Sequence, residues 1–224
     1  MADEETKPDP TIKVRKNGPY LVVGGVPLKS KAPVMSEHGE ALTWRTEALE
    51  DGRSTYALCR CGASESKPFC DGTHSSIEFD GTESVPDGSY DDRANSLGGT
   101  GIEVFDDRGI CVHAGFCGNK VSNVWKMAPK TEDTVVRAQV MAMVEKCPSG
   151  ALTYAVDGEV IEPDLPDEVA VVPDGPLWVS GGISITRSDG EVVETRQRVT
   201  LCRCGASDIK PLCDGSHADI GFTG

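Results

Sequence analysis

Nine cysteines fall into three groups of three along the 224-residue chain, and this grouping constrains the fold more than any other feature. The groups are Cys59, Cys61, Cys70; Cys111, Cys117, Cys147; and Cys202, Cys204, Cys213. His74, His113 and His217 each sit inside one group, while the fourth histidine, His38, lies between Glu37 and Glu40 and reads as ordinary surface. An odd number of thiols cannot all pair as disulfides. A disulfide within Cys-x-Cys would also be badly strained. Metal ligation suits the pattern better. Aromatics make up only 5% of the chain, against 25 glycines and 14 prolines. Small cores held by something besides bulk apolar packing are therefore expected.

The chain repeats itself. Residues 59–74 read CRCGASESKPFCDGTH and residues 202–217 read CRCGASDIKPLCDGSH. Phe79 and Gly81 recur as Phe222 and Gly224 at the same offset, and GPYLVVGGVPL from Gly18 aligns with GPLWVSGGISI from Gly175. In the second copy, strand-like runs Leu177–Ile185 and Glu191–Leu201 flank a turn at Ser188-Asp189-Gly190 and read as a hairpin. Alternation puts Tyr56 and Leu58, and likewise Val199 and Leu201, on one face. Units this small bury little alone, so packing the copies about a pseudo-twofold axis is the economical arrangement; two independent beads are the alternative.

Residues 82–98, rich in Ser, Asp and Gly, and residues 157–174, with seven acidic side chains and no basic one, read as surface connectors. Between them lies a block with a strand at Ile102–Phe105, a cysteine loop, a helix near Thr134–Lys146 and a strand at Ala151–Val156. Val136, Val140, Met143 and Val144 give that helix its apolar stripe, and Pro148 ends it.

In each repeat, Cys-x-Cys offers two thiolates from one extended stretch. Cys70 and His74, or Cys213 and His217, stand four apart, the spacing of one helical turn. Asp71 and Asp214 suit caps for that turn, and Gly72 and Gly215 allow close approach to a metal. Three thiolates and an imidazole fit tetrahedral zinc and also fit a [2Fe–2S] cluster; ligand identity alone favours zinc.

The run C-x-C-x2-S-x3-P-x-C-D-G-[ST]-H closely resembles the CDGSH iron–sulfur domain family, and it occurs twice. Cys59, Cys61, Ser64, Pro68, Cys70, Asp71, Gly72 and His74 fill it first, with Thr73 in place of the serine. Cys202, Cys204, Ser207, Pro211, Cys213, Asp214, Gly215 and His217 fill it again. The resemblance implies two [2Fe–2S] clusters, each held by three cysteines and one histidine, with the tandem copies replacing the protomers of a β-rich dimer. One imidazole in place of a thiolate raises the reduction potential, and protonation of its ligating nitrogen releases the cluster in acid. Arg60, Arg203, Lys67 and Lys210 recur in both copies, either offsetting thiolate charge, docking a partner, or lying solvated on the surface.

The middle block resembles a divergent single-cluster ferredoxin domain. Cys111 and Cys117 span six positions, as do the first and third cysteines of the bacterial C-x2-C-x2-C run, and the remote Cys147 precedes Pro148. Ala114 occupies the second cysteine's place and cannot ligate. The alternatives are a [3Fe–4S] cluster on three cysteines, a [4Fe–4S] cluster completed by His113, a His113 that only hydrogen-bonds nearby, or three reduced thiols without metal.

The expected fold is α+β: a disordered tail over 1–11, CDGSH-type units over 12–82 and 175–224 packed as an intramolecular pseudo-dimer, and an inserted ferredoxin-like domain over 99–156. No triad, P-loop or Rossmann signature is present, so conventional catalysis is not expected. The expected function is electron transfer, or cluster storage and transfer, by a soluble three-cluster protein. The alternatives are a relay subunit of a larger oxidoreductase and a zinc-stapled module without redox role. Acidic residues outnumber basic ones 36 to 22, a formal charge of −14 that repels nucleic acid and favours a redox or cluster-accepting protein with a basic docking face. No apolar run approaches the roughly 18 residues of a membrane span. The opening MADEETK is too acidic for a secretory signal, so a cytoplasmic chain is expected, and duplication is consistent with a monomer.

Overall fold

Short alternating runs become short strands. The computed structural model describes residues 8–50 and 53–224. The first copy contributes β1 (Thr11–Val14), β2 (Tyr20–Val23), β3 (Leu28–Met35), β4 (Ala41–Glu50), β5 (Thr55–Leu58) and the single turn α1 (Thr73–Ser76). The middle holds α2 (Tyr90–Arg93), β6 (Asn95–Gly98), β7 (Glu103–Asp106), α3 (Val124–Met127), α4 (Thr134–Val144), β8 (Leu152–Val156) and β9 (Glu159–Ile161). The second copy adds β10 (Glu168–Val171), β11 (Leu177–Ser180), β12 (Ser184–Thr186), β13 (Arg198–Leu201) and the turn α5 (Ser216–Asp219). The disordered tail expected over 1–11 lies outside the described residues for 1–7, and Thr11 already opens a strand.

The two copies exchange strands. One sheet runs β12-β1-β2-β5 and the other β13-β11-β10-β3-β4, so each takes a parallel neighbour from the other copy. Ile12 faces Ile185 across β1 and β12, and Leu28 faces Val169 across β3 and β10. Ile12, Tyr20, Val22 and Leu58 then share one buried core with Leu177, Val179, Leu201 and Leu212. Full burial of such a side chain contributes roughly 1.5–3 kcal/mol. That gain is available only when both copies are present, because the core is built from both.

Two expectations are corrected here. The run Leu177–Ile185 is not one hairpin strand. It breaks at Gly181-Gly182, where the chain leaves the sheet of β11, and β12 pairs with β1 instead. The turn itself forms, with Gly190 N–H donating to the Arg187 carbonyl at 3.1 Å. The connectors are not plain surface linkers either. Residues 168–171 form β10, buried at every position, with Glu168 ion-paired to Lys31. Residues 90–93 and 95–98 form α2 and β6, and Tyr90 is buried with its hydroxyl on the Ala151 carbonyl at 3.1 Å. Partner cations hidden in the fold make these acidic stretches structural.

The middle block is an antiparallel sheet, β6-β7-β8-β9, covered by α3 and α4. Asp133 starts α4 by accepting from the N–H groups of Val135 and Val136. Val140 and Val144 are fully buried against Val104, Val124, Leu152 and Tyr154, while Val136 and Met143 are half-buried. The β3–β4 hairpin is much longer than its counterpart in the second copy, where β12 turns back to a single bridge from Thr186 to Val192, and it works as a strap. Trp44 lies 4.6 Å from the Phe116 ring and 5.2 Å from Trp178, and its Nε1 donates to the Lys146 carbonyl at 3.0 Å. No helix among the described residues is long and apolar enough to cross a membrane.

Candidate metal centres

Each Cys-x-Cys follows the last strand of its sheet. Leu58 bridges Phe69, and Leu201 bridges Leu212, which folds the loop back over the strand end. Cys59 N–H donates to Pro68 and Cys202 N–H to Pro211, both at 2.8 Å. Inside the loop, Ser64 Oγ donates to the Phe69 carbonyl and Ser207 Oγ to that of Leu212, both at 2.7 Å.

The donors that result are paired. Cys59 Sγ lies 3.8 Å from Cys61 Sγ, and Cys70 Sγ lies 3.3 Å from His74 Nδ1. In the second copy the distances are 3.7 Å for Cys202 and Cys204 and 3.4 Å for Cys213 and His217 Nδ1. Each histidine thus presents Nδ1. Cys70 and Cys213 lie just before the helical turns rather than on them, and Gly72 and Gly215 occupy the N-cap positions. Asp71 and Asp214 are therefore not caps of the expected kind. They clamp loop to turn, Asp71 accepting from Glu65 N–H and Thr73 N–H, Asp214 from Asp208 N–H and Ser216 N–H. Hydrogen bonds from Thr73 hold the Asp71 carboxyl below its ordinary range.

Among the described residues, no three or more Cys, His, Asp or Glu side chains gather about one point closely enough for a single ion. A tetrahedral zinc with Zn–S near 2.3 Å needs all four donors mutually about 3.8 Å apart. Two pairs of donors suit two metal atoms, each taking one pair.

Surroundings set the thiols. Burial pushes Cys213 up to about 12 and raises Cys61. The hydrogen bond between the free thiols of Cys202 and Cys204 draws Cys202 down and drives Cys204 up. Burial also lowers His217, against the pull of Asp214.

Arg60 and Arg203 overturn the surface reading, since both are about 1% exposed. Arg60 donates to the Gly81 carbonyl at 2.7 Å and lies 5.7 Å from the Phe79 ring. Arg203 donates to the carbonyls of Gly224, Val172 and Gly175 and lies 5.0 Å from Phe222. The repeated Phe-x-Gly is thus the seat of the repeated arginine. Lys67 and Lys210 are bound to their own loops through the carbonyls of Ser64 and Ser207. His38 is exposed beside Glu37, as expected.

The two loops abut. A Cβ on Gly62 would fall on the Cys204 carbonyl, and one on Gly205 would lie 2.8 Å from the Cys61 carbonyl oxygen. Tyr20 adds a one-sided tie that the sequence reading missed, its hydroxyl donating to Cys202 O at 2.8 Å and bonding Pro211 O at 3.0 Å. The signal for it was an aromatic where the repeat has Leu177.

Cys111, Cys117 and Cys147 line one cavity of about 150 Å³, together with His113 and Ala114. Burial, then the charges of Cys111 and Cys147, raises Cys117. Arg108 was also missed; its Nη1 reaches Cys111 Sγ at 3.5 Å, its Nη2 pairs with Asp106 at 3.0 Å, and it stacks on Trp125. Ser149 Oγ lies 3.7 Å from Cys147 Sγ.

Comparison with known families agrees with this layout. Residues 17–75 and 174–218 match the family described as iron-binding zinc finger, CDGSH type. Residues 97–157 match the family described as divergent 4Fe-4S mono-cluster. The chain is therefore an iron–sulfur protein, with two CDGSH-type segments flanking a divergent 4Fe–4S segment. No curated protein matches the chain.

Proposed function

We propose that the protein is a three-centre electron carrier, with two [2Fe–2S] clusters and one larger cluster, the tandem copies forming an intramolecular pseudo-dimer. Cys59, Cys61, Cys70 and His74 would hold the first cluster, and Cys202, Cys204, Cys213 and His217 the second. The two-plus-two pairing of donors, seen twice, carries this reading and disfavours zinc. When bound, such clusters supply one-electron redox chemistry. The chain's own part is to hold the sulfurs in buried or half-buried loops, present one imidazole Nδ1 per site, and keep the cluster loops in backbone contact.

For the middle segment the matching family points to four irons. Three sulfurs face one cavity, and His113 lines it as candidate fourth ligand; a [3Fe–4S] centre on the cysteines alone is the alternative, marked by an EPR signal in the oxidised protein. We assign the chain a carrier's role rather than an enzyme's, in the cytoplasm, serving a redox partner with a basic face.

A second reading, cluster donation, is favoured at one place: Cys61 and Cys70 are half-buried and Gly72 exposed, whereas Cys204, Cys213 and Gly215 are buried, the two histidines being half-buried alike. Incubating holoprotein with an apo-ferredoxin separates the two. Carriage predicts clusters that stay put at neutral pH while reduced protein passes electrons to an acceptor; prompt appearance of the ferredoxin spectrum contradicts it.

A further inference from the structure

The two CDGSH-type loops share a sequence frame but not their neighbours. Gly72, at φ 91°, has open space where a Cβ would stand. Gly215, at φ 94°, does not: a Cβ there would lie 2.7 Å from His113 Cδ2 and 3.4 Å from the Cys111 carbonyl oxygen. The turn that presents His217 is thus seated on the ligand loop of the middle site. His113 and His217 line a common cavity of about 180 Å³, closed on another side by Trp44 of the strap and by Pro148, next to Cys147. His113 also lines the cavity of the three middle cysteines. Its backbone is held at φ 55°, unusual for a residue with a side chain.

We propose that the second CDGSH-type site and the middle site are coupled directly through the His113–Gly215 contact, a contact to the middle loop that the first site's Gly72 lacks. The proposal rests on the iron–sulfur reading above. His113 acts as a positioning residue: whatever moves the middle loop moves the seat of His217, and the effect is reciprocal, as any coupling between sites must be. The first site touches the second through the Gly62–Cys204 and Gly205–Cys61 backbone contacts and the Tyr20 hydroxyl, but no residue of the middle loop stands against Gly72.

Paired glycine substitutions test this, since Gly72→Ala and Gly215→Ala carry the same backbone penalty and only the second reaches His113. In dithionite-reduced holoprotein, Gly215→Ala is expected to shift the EPR signal and potential of the middle centre, and Gly72→Ala to leave both unchanged. Equal effects, or none, overturn the coupling. Thermal unfolding supplies the second measurement. Gly215→Ala should lower the midpoint more than Gly72→Ala, and the excess should vanish when both are made in a His113→Ala background. An excess that persists there is strain in the turn alone and overturns the proposal, even where Gly215→Ala cannot be loaded. Wild-type protein lacking iron and sulfide would instead overturn the reading beneath it, because the unfolding comparison needs no cluster.

Discussion

Arg203 shows how much one buried cation can organise. Its guanidinium donates to three carbonyls and lies against Phe222, so the loop end, the β10–β11 turn and the Phe-x-Gly segment meet on it. Removing a buried charged donor leaves its acceptors unpaired, at a few kcal/mol. Arg203→Met should lose about 3 kcal/mol in urea unfolding, and Arg60→Met a similar amount. A loss under about 0.5 kcal/mol, the size of an ordinary surface change, would refute the tie. The buried thiols make a pH prediction. Burial holds Cys213 near 12 and raises Cys61, above the ordinary 9.0. The stability this gives the metal-free protein is complete below pH 9 and lost as pH rises toward the folded values. Its thermal midpoint should fall through that window, and a flat profile would contradict the assignment.

Among elements, the strap is the one most open to test. Trp44 packs on Phe116 and Trp178 and donates to Lys146, so the first copy clamps the middle block against the second. Trp44→Ala should cost about 2–3 kcal/mol, below the full range for a core Trp because this side chain is half-buried. It should also speed chelator access to the middle centre, followed by loss of visible absorption. The contact between loops is stricter. Gly62→Ala places a Cβ on backbone, which cannot rotate away. It should destabilise by more than about 3 kcal/mol and reduce iron retention at both CDGSH-type sites; normal retention would show the loops are independent.

At the scale of the whole molecule, the repeat made the paired sites legible. Cysteine spacing, the i, i+4 histidine and Phe-x-Gly are local, and local signals survive in one sequence. The exchange of β3 and β12 between sheets was not legible, because each strand looks the same whichever sheet receives it. β10 was hidden for another reason: three apolar residues among acids read as a linker until Lys31 is known to meet Glu168. Arg60 and Arg203 each sit between two cysteines of a loop, where a charged side chain reads as solvated, and nothing short of the fold places Phe79 and Phe222 over them.

The most direct measurement is elemental: iron, acid-labile sulfide and zinc per chain in protein purified without oxygen, with Mössbauer spectra to sort the iron. Two binuclear sites and a four-iron site predict about eight iron and eight sulfide, with one iron of each binuclear pair showing a nitrogen-containing shell. Zinc in stoichiometric amount, or thiols with no metal bound, would contradict the account.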